Sequence, residues 1–295
     1  MTDRFPRSMG ELAVWATSNS VTIDEARRRF AQYIALCGIA SVRPLREGLV
    51  FKGGNALDFV WQPNRSTTDL DFSLDITDPH FEANTDTIRA LLGRGFNLVS
   101  ARFGMAFAIH GVRQNPPGMN RTFITYETSV GYALPDERQL LIRMANNQTS
   151  SHVIRIEISI NDPICDSTVF TIDENYPQLR VSTLEDIVGE KLRALLQQKE
   201  TIRKRKRRQD LLDIAVILRT RPDLNREQIT AYLQVKAAAR FVPVSRAAFH
   251  DPEIAECAQE DYAALEATTR VTFIPFDDAL ATVLAFVDDL PIPAE

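Results

Sequence analysis

The segment Phe51 to Leu74, FKGGNALDFVWQPNRSTTDLDFSL, constrains the fold more than any other part of the 295-residue chain. Leu49, Val50 and Phe51 form a short apolar strand that runs into Gly53-Gly54. A short helix, Asn55 to Trp61, can follow. After a Pro-Asn-Arg turn comes Asp69-Leu-Asp-Phe-Ser-Leu, whose alternation of acid and apolar residues is strand periodicity. Asp is depleted in strands. A strand opening on two of them breaks a local rule, and such conflicts are where functional sites are expected. Two glycines at a strand end let the backbone approach a phosphate, and a helix starting there adds partial positive charge. Asp69 and Asp71, two apart on a strand, leave the same face. Paired hard carboxylates suit Mg²⁺ or Mn²⁺, commonly shared with nucleotide phosphates. Two such ions can activate a hydroxyl and stabilise a leaving pyrophosphate.

The rest of the chain divides in character. Thr22 with Glu25 reads as a capping box, and Ile23, Ala26, Phe30, Ile34 and Cys37 lie at helical spacing, with Gly38 placed to end that helix. Ile88 to Leu92 reads as helical and stops near Gly93 to Gly95. Met105 to Val112, Arg121 to Val130 and Val153 to Ile160 read as strands. The last, VIRIEISI, puts Ile154, Ile156, Ile158 and Ile160 on one face and Arg155 and Glu157 on the other. Beyond Ser182 the pattern is helical: Thr183 to Gln198, Gln209 to Leu218, Arg226 to Ala239, Pro252 to Thr268 and Phe276 to Asp289. A mixed first half followed by a helical second half predicts an α+β chain of two domains, 1–180 and 181–295.

Composition decides what partners are admissible. No window carries the 18 or more apolar residues of a membrane span, and the N-terminus has no secretory pattern. Cys37, Cys165 and Cys257 match no metal spacing and read as reduced thiols of a cytoplasmic protein. The net charge of -5 is uneven. Residues 251–295 carry eleven acidic residues against Arg270 alone, a net of -10. The first 250 residues hold 33 bases against 28 acids, a net of +5. The excess is sharpest from Lys199 to Arg208, with seven bases and only Glu200 opposing them. That run is either a solvated face or a strip for an RNA phosphate backbone, formed by Arg203, Lys204, Arg205, Lys206, Arg207 and Arg208.

KGGNAL followed by RSTTDLDF resembles the signature of the polymerase-β-like nucleotidyltransferases and, within them, the AbiEii/MenT-type toxins. That group shows K-G-G-T-A-L and then R-x-S-x-D-L-D-F. Here Asn55 stands where Thr or Ser is usual, and Thr67 where the Ser is usual. Glu185-Asp-Ile-Val-Gly-Glu-Lys191-Leu-Arg-Ala-Leu resembles the family's E-x-x-x-x-E-K-L-x-A-L helix, and Arg208-Gln-Asp210-Leu-Leu-Asp213-Ile its R-x-D-L-x-D-I segment. The resemblance implies a nucleotidyltransferase domain on a small mixed sheet, then a helical domain. It implies transfer of NMP from an NTP to an RNA acceptor, the 3′ end of tRNA, blocking aminoacylation, with a cognate antitoxin as partner. Asp69, Asp71, Lys191, Asp210 and Asp213 are the implied catalytic residues. Lys52, Gly53, Gly54, Asn55, Arg65 and Thr67 line the nucleotide side, and Glu157 is a third candidate metal ligand beside Asp69 and Asp71.

Several of these residues also have plainer readings. Lys191 in an apolar helix either snorkels to solvent or reaches a triphosphate. Asp210 and Asp213 share a helix face and either pair with Arg207 and Arg208 or serve the site. Glu157 is otherwise a solvent-facing strand residue paired with Arg155 or a cross-strand base, and Arg65 a turn arginine. A small-molecule nucleotidyltransferase and a non-catalytic nucleotide- or nucleic-acid-binding protein are the alternative functions. The basic run disfavours the first, and the retained Asp pair the second.

Overall fold

Thr22 does cap a helix: its Oγ1 accepts from the Glu25 N–H at 3.2 Å. That helix does not stop at Gly38, however, but runs from Ile23–Ser41. The reason lies in a second helix, Thr85–Phe103, which likewise passes through Gly93 and Gly95 and ends at Gly104, with φ 64°. The two helices cross at their glycines. A Cβ on Gly95 would stand 2.5 Å from the Gly38 carbonyl oxygen, and one on Gly38 3.1 Å from that of Gly95. The glycines permit close approach, and tertiary contact overrides their helix-breaking tendency.

The computed structural model describes residues 4–65, 67–77, 80–119, 121–198 and 206–295. Two compact units are found. The first comprises the chain up to Trp61, Thr67–Asp162 and Thr168–Val181; the second comprises Gln62–Ser66, Pro163–Ser167 and Ser182–Glu295.

In the first unit, helices α1 (Leu12–Ser18), α2 (Ile23–Ser41) and α3 (Arg43–Gly48) precede strand β1 (Leu49–Lys52). One helical turn, α4 (Gly53–Ala56), continues as a π-helical turn at Leu57–Trp61. Strand β2 (Asp69–Leu74), α5 (Thr85–Phe103), β3 (Ala106–Asn115), β4 (Ile124–Ala133), α6 (Arg138–Ala145), β5 (Val153–Ile160), β6 (Ser167–Phe170) and β7 (Leu179–Ser182) follow. Among the described residues the strands form one mixed sheet, ordered β3-β4-β5-β2-β1-β7-β6. β2 lies antiparallel to β1 and parallel to β5. Leu70, Phe72, Ile154, Ile156 and Ile158 are buried, while Asp69, Asp71 and Glu157 on the other parity keep partial exposure. The α+β expectation holds. β6, β7 and α6 carry too little periodicity to be seen in the sequence.

The second unit is helical: α7 (Leu184–Gln197), α8 (Arg208–Thr220), α9 (Arg226–Ala239), α10 (Arg246–Phe249), α11 (Pro252–Gln259) and α12 (Phe276–Asp288). Thr183 caps α7 through the Asp186 N–H at 3.4 Å. The single helix expected over Pro252 to Thr268 breaks at Asp261, whose φ is 56°, and resumes as a 3₁₀ turn at Tyr262–Thr268. No helix among the described residues is long and apolar enough to cross a membrane.

Candidate active site

The first unit gathers one cluster on β1, α4 and β2. Lys52 ends β1 with extended backbone and stands in register with Asp71. Gly53 then turns the chain into α4 at φ 72°. This glycine is required twice over. The left-handed backbone disfavours a side chain, and a Cβ there would sit 2.4 Å from Asp71 Oδ2. Glycine thus lets the start of α4 close directly onto a carboxylate. Thr68 Oγ1 donates to Asp69 Oδ1 at 3.1 Å. On the neighbouring strand Arg155 is in register with Asp69, and Glu157 with Asp71. Glu157 in turn faces Glu127 of β4, which accepts from Arg113 Nε at 2.7 Å. Burial alone would raise the Glu127 pKa, but Asn115 and Arg113 hold it below the usual carboxylate range.

Other candidates of this cluster have protein partners. Lys52 Nζ donates to Asp162 Oδ2 at 2.7 Å. Asn55 has no exposed surface, and its carboxamide donates to the carbonyls of Asp69 at 2.6 Å and Thr67 at 3.3 Å. Thr67 thus contributes a backbone acceptor, and its Oγ1 is buried. Asn55 also accepts from Arg29 Nη1 at 2.8 Å. Arg29, together with Asp58 and Gln32, was missed by sequence reasoning. The one signal was an arginine at an inward position of the α2 stripe.

The second unit holds a second cluster. Lys191 on α7 is 6% exposed and does not snorkel. Its Nζ donates to Asp210 Oδ1 at 2.6 Å and Asp213 Oδ2 at 2.9 Å, both from α8. Arg65 Nη2 donates to Asp213 Oδ2 at 3.2 Å, and Arg207 Nη1 lies 3.5 Å from Asp210 Oδ2. Burial would lower the Lys191 pKa, but the Asp210 and Asp213 carboxylates outweigh it and raise the value. Burial would raise both aspartates. Lys191 and Arg207 hold Asp210 below the usual range, and Arg65 and Lys191 do the same for Asp213.

The basic run is described only from Lys206; Arg203, Lys204 and Arg205 lie outside the described residues. Lys206 pairs with Glu260, and Arg208 Nη1 donates to Asp261 Oδ2 at 3.1 Å. Gln198 is buried and clasps both ends of the run. Its Nε2 donates to the Ile254 carbonyl at 2.9 Å, while its Oε1 accepts from the Arg207 N–H at 3.1 Å.

Among the described residues no three His, Cys, Asp or Glu side chains gather into a metal cage. Glu157 stands beside Asp71 in register without completing one. The Asp69–Asp71 pair nevertheless fits Mg²⁺, which keeps waters and takes one or two carboxylates plus substrate phosphates.

A mixed sheet with a glycine turn closing onto an Asp-x-Asp strand, followed by a helical unit, is a nucleotidyltransferase fold. Solved structures agree. MenT4, a nucleotidyltransferase toxin of Mycobacterium tuberculosis H37Rv, superposes with a TM-score of 0.55 at 18% identity, covering 95% of this chain and 90% of that one. A Helicobacter pylori protein assigned as a nucleotidyltransferase gives 0.52 at 16% identity, covering 91% and 95%. No curated protein sequence matches the chain. Residues 34–282 match the family described as nucleotidyl transferase AbiEii toxin, type IV toxin–antitoxin system. The chain belongs to the AbiEii nucleotidyltransferase toxin family, which implies an antitoxin partner.

Proposed function

We propose that this protein transfers NMP from an NTP to the 3′ end of tRNA in the cytoplasm, and so blocks aminoacylation and translation. The observation that carries the transfer chemistry is Gly53, held at φ 72° with its Cα against Asp71 Oδ2. That contact sets a glycine-opened helical turn beside two carboxylates on one strand face. Both halves of an NTP·metal substrate are then addressed by one local structure.

In this reading the backbone N–H groups of Gly53 and Gly54 cradle the triphosphate. Asp69 and Asp71 hold Mg²⁺ or Mn²⁺, with Glu157 as a further acid on the adjacent strand. Such an ion, bound with the nucleotide, supplies charge stabilisation at the phosphates. The acceptor hydroxyl oxygen forms a bond to the α-phosphorus, the α–β phosphoanhydride bond breaks, and pyrophosphate leaves with that electron pair. The hydroxyl proton passes to solvent or a nearby carboxylate. Within the second unit Lys191, Asp210, Asp213 and Arg65 act as a linked set, the lysine ammonium fixed by two carboxylates, and the resemblance to the family gives this set a catalytic role. The basic run Arg203 to Arg208 carries the RNA backbone, by charge and shape rather than base reading.

Incubation with each α-labelled NTP, Mg²⁺ and total tRNA, followed by a denaturing gel, tests the reading. A labelled tRNA band is expected with the wild-type protein and none with Asp69→Asn. Absence of label with all four NTPs, or equal labelling by Asp69→Asn, overturns it.

A further inference from the structure

Three consecutive arginines lie on α2, Arg27 to Arg29, and only Arg29 is buried. Its Nη2 lies 2.7 Å from Asp58 Oδ2, and both side chains are within 2% of full burial. Its guanidinium carbon sits 3.4 Å from the centroid of the Phe59 ring, a cation–π contact. Its Nη1 donates to Asn55 Oδ1 at 2.8 Å. Asn55 in turn donates to the carbonyls of Asp69 and Thr67. Three residues along α2, Gln32 donates to the carbonyls of Thr67 at 3.0 Å and Thr68 at 3.1 Å. The successive carbonyls of Thr67, Thr68 and Asp69 are therefore held by Gln32 of α2 and by Asn55 of α4, which Arg29 of α2 fixes in turn.

Packing alone does not account for this arrangement. A buried ion pair is weak evidence for stability, since apolar residues of similar volume often do as well or better. An apolar pair could not orient Asn55, however. Arginine has donors and no acceptor. The oxygen of Asn55 must therefore face Arg29, which turns its NH₂ group toward the Asp69 carbonyl.

We infer that Arg29 is a positioning residue for nucleotidyl transfer. Through Asn55 it fixes the backbone of Asp69 and hence the placement of the Asp69–Asp71 pair, while Gln32 holds the two preceding carbonyls. The inference rests on the nucleotidyltransferase reading above.

The test is the double variant Arg29→Met with Asp58→Leu, which removes both charges and leaves neither unpaired. Three quantities are measured: the melting temperature, Mn²⁺ binding to the nucleotide-free protein by electron paramagnetic resonance, and steady-state transfer. A folded protein is expected, with a melting temperature near that of the wild type. Mn²⁺ affinity should weaken about tenfold, the scale seen when groups supporting a metal ligand are lost. kcat should fall by about tenfold or more, as misplacement of reacting groups requires, with KM for NTP little changed. A stable double variant with wild-type Mn²⁺ affinity and wild-type kcat overturns the inference. Should the double variant fail to fold, Asn55→Leu keeps the ion pair and removes the donor to Asp69. The same two losses are expected, and their absence overturns the inference equally. Wild-type protein that transfers nothing from any NTP, and whose Mn²⁺ binding survives Asp69→Asn, overturns the nucleotidyltransferase reading together with this one. Mn²⁺ binding and transfer that Asp69→Asn abolishes but the Arg29 variant keeps overturn this one alone.

Discussion

Replacing Lys191 by Met keeps the apolar stem and deletes the charge. A half-buried carboxylate, Asp210, and a buried one, Asp213, then lose a shared cation that stands 2.6 Å from the first and 2.9 Å from the second. Asp213 keeps Arg65 at 3.2 Å, and among the described residues Asp210 keeps Arg207 at 3.5 Å. Removing one partner of a buried pair costs about 3–5 kcal/mol, and the two remaining arginines place this case near the lower end. At about 2–4 °C per kcal/mol, the melting temperature should fall by about 6–12 °C. Transfer should fall on the order of a hundredfold, as for loss of one preorganised charge at a reaction centre. The pH dependence has a definite sign. The raised lysine pKa gives a contribution fully present below the ordinary lysine value, about 10.4, and lost as pH rises through the folded value. The depressed carboxylates contribute above their ordinary value, about 3.9, and that contribution is lost as pH falls through the folded values. The cost of Lys191→Met should thus be flat from about pH 5 to 9 and shrink below about pH 4. Adding Asp210→Asn should recover part of it. Urea unfolding across this pH range is the assay. A Lys191→Met protein as stable as the wild type at neutral pH would refute the buried cluster and leave an ammonium that merely reaches solvent.

Asp69→Asn and Asp71→Asn should each abolish labelling of RNA while leaving the circular dichroism spectrum and melting temperature near wild type, because the amide keeps the shape and loses the charge. Gly53→Ala should strain a left-handed backbone by roughly 1–2 kcal/mol and push its methyl group into Asp71; a loss of transfer larger than the loss of stability is expected, and wild-type kcat would remove the requirement for glycine. Replacing Arg203, Lys204, Arg205 and Lys206 together by Gln should shallow the log–log salt dependence of RNA binding, which follows the number of phosphates neutralised at about 0.7 per contact for single strands. NTP binding should be retained, and an unchanged salt slope would move the RNA off this run.

The carboxylate half of the candidate site was legible because its signals are local. β2 and β5 alternate strictly, so Asp69–Leu74 and Val153–Ile160 appear with the bounds the sequence implies. Thr22 and Thr183 announce their helices through short-range hydrogen bonds. Misreadings arose where a distant partner decides the conformation. Gly38 and Gly95 look like helix ends until each is seen to make room for the other, 57 residues away in the chain. Arg29 drew no reading because its partners, Asp58 and Asn55, lie outside its own helix. Lys191 looked able to snorkel because nothing in its own helix reveals the two carboxylates supplied by α8.

The clasp made by Gln198 ties position 198 to position 207 through one side chain. One carboxamide bonds both the body of the unit, at Ile254, and the N–H that opens the next helix. The two ends are therefore registered to each other whatever sequence joins them. The clasp thereby ties the helix that carries Lys191 to the helix that carries Asp210 and Asp213, so loss of the Gln198 carboxamide is expected to loosen a cluster that it does not touch.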